Sequence, residues 1–167
     1  MVAGFQIEEM RPEHWEQVRA IYLEGIRTGN ATLEADPPEW EAWDSDHVPS
    51  PRLVTRREER ILGWAALSPV SGRCVYGGVA EVSIYIGEAY RGQGVGLALL
   101  QHLVQASEAA GFWTLQAGIL KENLASRQLH AKAGFREVGY RERLGKLNGV
   151  WRDVVLMERR SSLVGID

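Results

Sequence analysis

The run Arg91-Gly92-Gln93-Gly94-Val95-Gly96 joins the clearest strand pattern in the chain to its longest helix pattern. Upstream, alternation over Ala80 to Ile86 puts Glu81, Ser83 and Tyr85 on one strand face, and Ala80, Val82, Ile84 and Ile86 on the other. Downstream, a helix is expected from Gly94 to about Ala110. Gly96, Leu99, Leu100, Leu103, Ser107 and Ala110 share one stripe, and Gly111 is the stop. Glycines at such a junction let backbone N–H groups approach a ligand closely. Beside them the helix N-terminus adds unpaired donors and partial positive charge, which suits a pyrophosphate. A Walker loop is excluded because Gly96-Leu97-Ala98 lacks its lysine and hydroxyl. A dinucleotide fingerprint is excluded because Leu97 stands where its third glycine belongs. A turn that only packs a helix tightly on a strand fits these letters equally well.

The rest of the chain supplies an α/β or α+β domain around this junction. Short strands are expected at Phe5 to Ile7, Leu53 to Thr55 and Ile61 to Leu67, with the charged Arg56 to Arg60 as an exposed hairpin tip. Pro12 can open a helix that runs to about Arg27, carrying Trp15, Val18, Ile21 and Tyr22 at helical spacing. Asp36-Pro37-Pro38 leads into a short helix bearing Trp40 and Trp43. After the glycine loop come a strand at Trp113 to Ile119, a helix at Leu124 to Ala133 stopped by Gly134, and strands at Phe135 to Arg141 and Val150 to Glu158. The expectation is about seven strands in a mixed sheet with about four helices, as one domain over residues 1–167.

Composition narrows the class. Nineteen Lys and Arg against 22 Asp and Glu give a net charge of -3, which argues against general nucleic-acid binding. No apolar run is long enough for a membrane span. Glu8 and Glu9 interrupt any signal-peptide pattern, so a cytoplasmic location is expected. The lone Cys74 cannot make an intrachain disulfide, and no Cys/His spacing suits zinc, so no metal is expected. Partners should be small molecules or particular proteins. The six tryptophans read as packing or interface residues.

Arg91-x-x-Gly94-x-Gly96 after a strand and before a long helix resembles the acyl-CoA loop of the GNAT N-acetyltransferases. Asn123-x-Ala125-Ser126-x-x-Leu129-His130-x-Lys132-x-Gly134-Phe135 resembles their second cofactor segment. Arg73-x-x-Tyr76, Glu81, the Leu-His-x-x-x-Gly-Phe run and Gly145-Lys146 to Trp151-x-Asp153 are similar to the phosphinothricin and methionine sulfoximine (methionine sulfone) N-acetyltransferases. The resemblance covers nearly the whole chain. It implies a GNAT-like, mostly antiparallel sheet and acetyl-CoA as cosubstrate. It also implies acetylation of the α-amine of a small amino-acid-like acceptor by direct attack in a ternary complex, and a homodimer with the tail near Trp151 close to the partner's site.

The chemistry requires removal of the ammonium proton and stabilisation of an oxyanion. Glu81 matches the family's active-site glutamate, and its apolar neighbours should desolvate it towards the range useful for a base. His130 matches the position of a second acid or base, and helical spacing puts it on one face with Asn123 and Ser126. The resemblance gives the backbone of Ile84, Tyr85 and Ile86 to the pantetheine arm, and Arg91, Gly92, Gln93, Gly94, Val95, Gly96 and Leu97 to the pyrophosphate. Asn123 and Ser126 would meet the cofactor's arm, and Lys132 a phosphate. For the acceptor it points to Ser71, Gly72, Arg73 and Tyr76, with Glu81, Val82 and Ser83 as the opposite wall. Arg73 would grip a carboxylate through two parallel bonds. Thr32-Leu33-Glu34 departs from the family's Thr-Phe-Glu and loses a ring there. Two other readings stay open: acetylation of a protein N-terminus, lysine, polyamine or antibiotic, and an acyl-CoA sensor without turnover.

Overall fold

The computed structural model describes residues 4–167; residues 1–3, the start of the segment weighed above as a leader, lie outside them. Seven strands form one sheet: β1 (Gln6–Glu9), β2 (Arg52–Arg57), β3 (Arg60–Pro69), β4 (Val79–Ile86), β5 (Thr114–Leu120), β6 (Arg136–Leu147) and β7 (Val150–Arg160). Their order is β1-β2-β3-β4-β5-β7-β6, and only β4 and β5 run parallel. Four helices accompany them: α1 (Trp15–Arg27), α2 (Trp40–Asp46), α3 (Val95–Ala109) and α4 (Leu124–Lys132). The expected mixed, mostly antiparallel sheet with four helices is therefore what this sequence forms.

The two sheet faces are covered differently. Trp64 and Ala66 of β3 pack with Trp15, Val18 and Ile21 of α1 and Trp43 of α2. Ala65 and Leu67 of the same strand pack on the other face with Leu99, Leu100 and Leu103 of α3. Both faces of β3 are therefore dry, which is why it reads as a nearly continuous apolar run. Arg52 fixes the end of α2. Its guanidinium pairs with Asp44, donates to the carbonyls of Asp44 and His47, and lies 5.2 Å from the Trp43 ring centroid. Beyond β4, the face that carries α1 and α2 is crossed by the segment after α1, which meets β7 at Gly29 and Asn30 and β6 at Leu33.

Two local expectations change. Helix α1 begins at Trp15, and Pro12–His14 forms a tighter 3-10 turn ahead of it. Strand β6 continues past Arg141 to Leu147, because Asn148 and Gly149 take φ values of 51° and 78° and close a two-residue hairpin into β7. Asn-Gly is the favoured pair for such a turn, since both residues tolerate the left-handed region.

Candidate active site

The site begins where two strands stop pairing. Strands β4 and β5 are joined by only three pairs, Val79↔Thr114, Ala80↔Leu115 and Glu81↔Gln116. Strand β4 continues to Ile86 and β5 to Leu120, so past Glu81 they separate into a slot. A cleft of about 1300 Å³ runs through it, lined on its two sides by Glu81 to Ile86 and by Gln116 to Leu120. That exceeds the roughly 300–1,000 Å³ of an ordinary small-molecule pocket and leaves room for two ligands side by side.

At one end the cleft meets the glycine loop. Gly92 and Gly94 have φ values of 73° and 83°, which side-chain-bearing residues resist. Gly94 caps α3 without a side chain, so the N–H groups of Val95, Gly96 and Leu97 have no helical acceptor and no side-chain cap. Gly92, Gly94, Gly96 and Leu97 line the cleft with Arg91, whose Nε donates to the Ile86 carbonyl at 3.2 Å. Gln93 instead turns back to the Ala89 carbonyl, and Val95 is buried in the core. Neither residue is part of the cleft wall, unlike the other residues expected at the pyrophosphate. The Tyr85 ring lies on the same strand face as Glu81 and lines the cleft with Tyr22, stacking between Tyr22 at 4.7 Å and Trp64 at 5.0 Å. Burial pushes its phenol well above the ordinary value, so it stays protonated.

Glu81 lies at the fork. The expected desolvation is corrected: Ala80 and Val82 are buried on the α3 side, whereas Glu81 is exposed on the opposite face. Its Oε1 accepts from Gln116 Nε2 at 3.3 Å. Among the described residues it pairs with no arginine or lysine, so a structural ion pair does not account for it.

His130 is 2% exposed. Its Nδ1 lies 2.8 Å from the Ser126 carbonyl, which can only accept, so Nδ1 carries the proton. Nε2 is therefore a lone pair when the ring is neutral, and it is buried without a partner although the residue lines the cleft. Burial lowers the imidazole's pKa, while the bond to Ser126 partly opposes the shift. Asn123 Oδ1 caps α4 by accepting from the Ser126 N–H at 3.2 Å, which leaves its amide N–H groups for the cleft. Ser126 and Lys132 also line it.

The acceptor residues divide. Val82 and Ser83 line the cleft with Glu81, but Ser71, Gly72, Arg73 and Tyr76 lie outside its wall, in the loop between β3 and β4. Arg73 and Tyr76 are exposed, and the guanidinium sits over the tyrosine ring at 5.9 Å. Sequence reasoning missed a roof. Arg152 of β7 donates to the Gly29 carbonyl at 2.7 Å and to Asn30 Oδ1 at 2.6 Å, and pairs with Glu122 at 3.1 Å. A side chain on Gly145 would come within 2.8 Å of Leu33 Cδ1, so the segment after α1 packs directly on the β6–β7 hairpin. It also missed Arg141, which lines the cleft from β6. Both arginines fall within strands that the sequence does suggest, but which of them reaches the cleft depends on the pairing of β5, β7 and β6.

The cleft thus combines a slot with a free strand edge, a glycine loop on a helix without a side-chain cap, and spare amide donors at Asn123. Residues 8–135 match the acetyltransferase (GNAT) family. The phosphinothricin N-acetyltransferase of Alcaligenes faecalis is 34% identical over 92% of this chain and 81% of its own length. The L-methionine sulfoximine/L-methionine sulfone acetyltransferase of Pseudomonas paraeruginosa is 34% identical over 59% of this chain and 57% of its own. The crystal structure of a GNAT superfamily phosphinothricin acetyltransferase from Sinorhizobium meliloti in complex with AcCoA superposes with a TM-score of 0.87, at 27% identity, covering 98% of this chain and 91% of that one. This chain therefore belongs to the acetyltransferase (GNAT) family and is an acetyl-CoA-dependent N-acetyltransferase.

Proposed function

We propose that the acceptor is a small amino-acid-like molecule of the methionine sulfone, methionine sulfoximine or phosphinothricin type, acetylated on its α-amine by direct attack. The observation that carries this reading is Glu81: a solvent-facing carboxylate with no cationic partner, at the point where β4 and β5 part. Acetyl-CoA supplies an activated acetyl thioester. Its pantetheine arm fits along Ile84, Tyr85 and Ile86 as an added strand, and its pyrophosphate fits against the N–H groups at Gly94 to Leu97. Glu81 takes the ammonium proton, directly or through one water. The buried imidazole of His130, with its lone pair on Nε2, acts as a base and proton acceptor rather than an acid at neutral pH. The names of the similar enzymes support the acceptor class.

Ser71, Gly72, Arg73 and Tyr76 belong to the loop between β3 and β4, which borders the Glu81 end of the cleft without lining it. The loop starts just past Ser68, which pairs with Glu81 and lines the cleft. A homodimer is part of the same reading: Tyr140, Leu144, Val150 and Trp151 expose apolar surface along the β6–β7 hairpin. A cationic acceptor such as a polyamine is the alternative, favoured by the acidic groups of Glu34, Asp36, Asp46 and Glu122 in the cleft wall.

Free-thiol release from acetyl-CoA decides between them. The panel is methionine sulfone, methionine sulfoximine, phosphinothricin, common amino acids, polyamines and a lysine peptide. Saturable release with the sulfone-type acceptors is expected, and Glu81→Gln should lose about 100-fold in turnover while still binding acetyl-CoA. Release with polyamines or the peptide alone would refute the acceptor class, and an unchanged rate in Glu81→Gln would remove Glu81 as base.

A further inference from the structure

We propose that Arg141 is the anion anchor of the acceptor site, so that the enzyme selects amines carrying a carboxylate or similar anion a few atoms from the nitrogen. This rests on the acceptor reading above. Arg141 of β6 pairs with Val154 of β7, which in turn faces Leu120 of β5. By alternation along these strands, Arg141, Val154 and Leu156 share the sheet face that carries Glu81 and Gln116.

Three observations single this arginine out. The first is its freedom. Arg136 pairs with Glu158 at 3.1 Å, Arg143 with Glu142 at 3.4 Å, Arg152 with Glu122 at 3.1 Å and Arg159 with Glu108 at 3.6 Å. Arg141, among the described residues, has no ion pair and no side-chain hydrogen bond. It nevertheless lines the cleft, whose other lysine and arginine residues, Arg91 and Lys132, stand by the glycine loop and on α4.

The second is its mounting. The β6–β7 register shifts between Arg141 and Gly145, and Asp153 holds that irregularity by accepting from the Arg143 N–H at 2.7 Å and from the Tyr140 hydroxyl. A bulge fixed in this way re-aims the side chains beside it. The third is space. A methyl group on Gly118 would lie 3.9 Å from Glu81 Oε1 and 3.4 Å from Val154 Cγ1. Gly118 thus forms a floor without a side chain between the carboxylate and the strand pair that carries Arg141, open to the α-carbon of an acceptor.

The chemistry follows from the charges. A guanidinium takes a carboxylate through two parallel bonds. Acidic Glu34 and Glu122 in the cleft wall oppose a bare anion, so a ligand is favoured when it brings its own ammonium to Glu81.

The test compares methionine sulfone with its methyl ester in the full-length enzyme, using Arg141→Gln, Arg141→Lys and Arg73→Gln. In Arg141→Gln, the KM for methionine sulfone should rise at least about tenfold. The KM values for the ester and for acetyl-CoA should hold, with partial recovery in Arg141→Lys. A thermal melt like that of the wild type excludes misfolding as the cause. If Arg73→Gln alone raises the KM for methionine sulfone, the acceptor reading stands and Arg141 is not the anchor. If Arg141→Gln raises the KM for acid and ester equally, the anchor is also refuted. If the wild-type enzyme acetylates no carboxylate-bearing amine, both readings fall together.

Discussion

His130 is held neutral by its surroundings, and that has a measurable signature. Burial lowers its pKa below the ordinary 6.5, and burial does the same for His14 and His47. An unfolded chain takes up protons at these rings as the pH falls through 6.5, while the folded chain does not. Protonation therefore favours unfolding, and stability is present above 6.5 and declines as pH drops through it towards the lowered folded values. The melting temperature should fall between pH 7.5 and 5.5, with a flatter slope in His130→Gln. A melting temperature independent of pH in that window would show that these rings do not carry the predicted linkage. The same burial explains the base role proposed for Nε2, since an acid must hold its proton at working pH.

The strand–loop–helix unit from β4 to α3 turns bare backbone towards the cleft, where the cofactor's pyrophosphate is proposed to sit. Helices α1, α2 and α3 all start without a side-chain cap, but only α3 starts on a left-handed glycine, Gly94 with φ of 83°, and places Gly96 and Leu97 of its first turn in the cleft wall. Gly94→Ala forces a side chain into the left-handed region at a cost of about 1–2 kcal/mol. The expected result is a lower melting temperature together with a raised KM for acetyl-CoA and an unchanged KM for the acceptor. Equal effects on both substrates would mean that the loop serves packing alone. Helix α4 takes the opposite course: Asn123 caps it through Oδ1, and that bond leaves the amide N–H groups free on a residue that lines the cleft.

The assembled molecule closes its cleft by tying distant segments together. Arg152 reaches from β7 to the turn after α1, so one side chain holds the roof on the floor. Replacing it with methionine keeps the bulk and removes three charge-assisted contacts, costing about 2 kcal/mol. Arg152→Met should raise the KM for the acceptor more than that for acetyl-CoA, because the roof covers the acceptor end. A variant with unchanged acceptor KM and only a lower melting temperature would confine Arg152 to stability.

The order of strands and helices, the glycine loop and the helix stops at Gly111 and Gly134 could be read from the letters, because hydrophobic period and backbone freedom are local properties. The Asn148-Gly149 hairpin was equally local, and with it the full length of β6. Alternation correctly put Glu81 opposite Val82, yet it names a face without saying what covers it. That depended on β4 and β5 parting after three residue pairs, a relation between two strands that alternation within one of them does not report. Arg73 stands on an exposed loop, whereas Arg141 reaches the cleft wall because β7 pairs with β5 and carries the β6–β7 hairpin beside the slot. Local periodicity specifies the elements of this enzyme; long-range register and packing determine which charged groups meet at its fork.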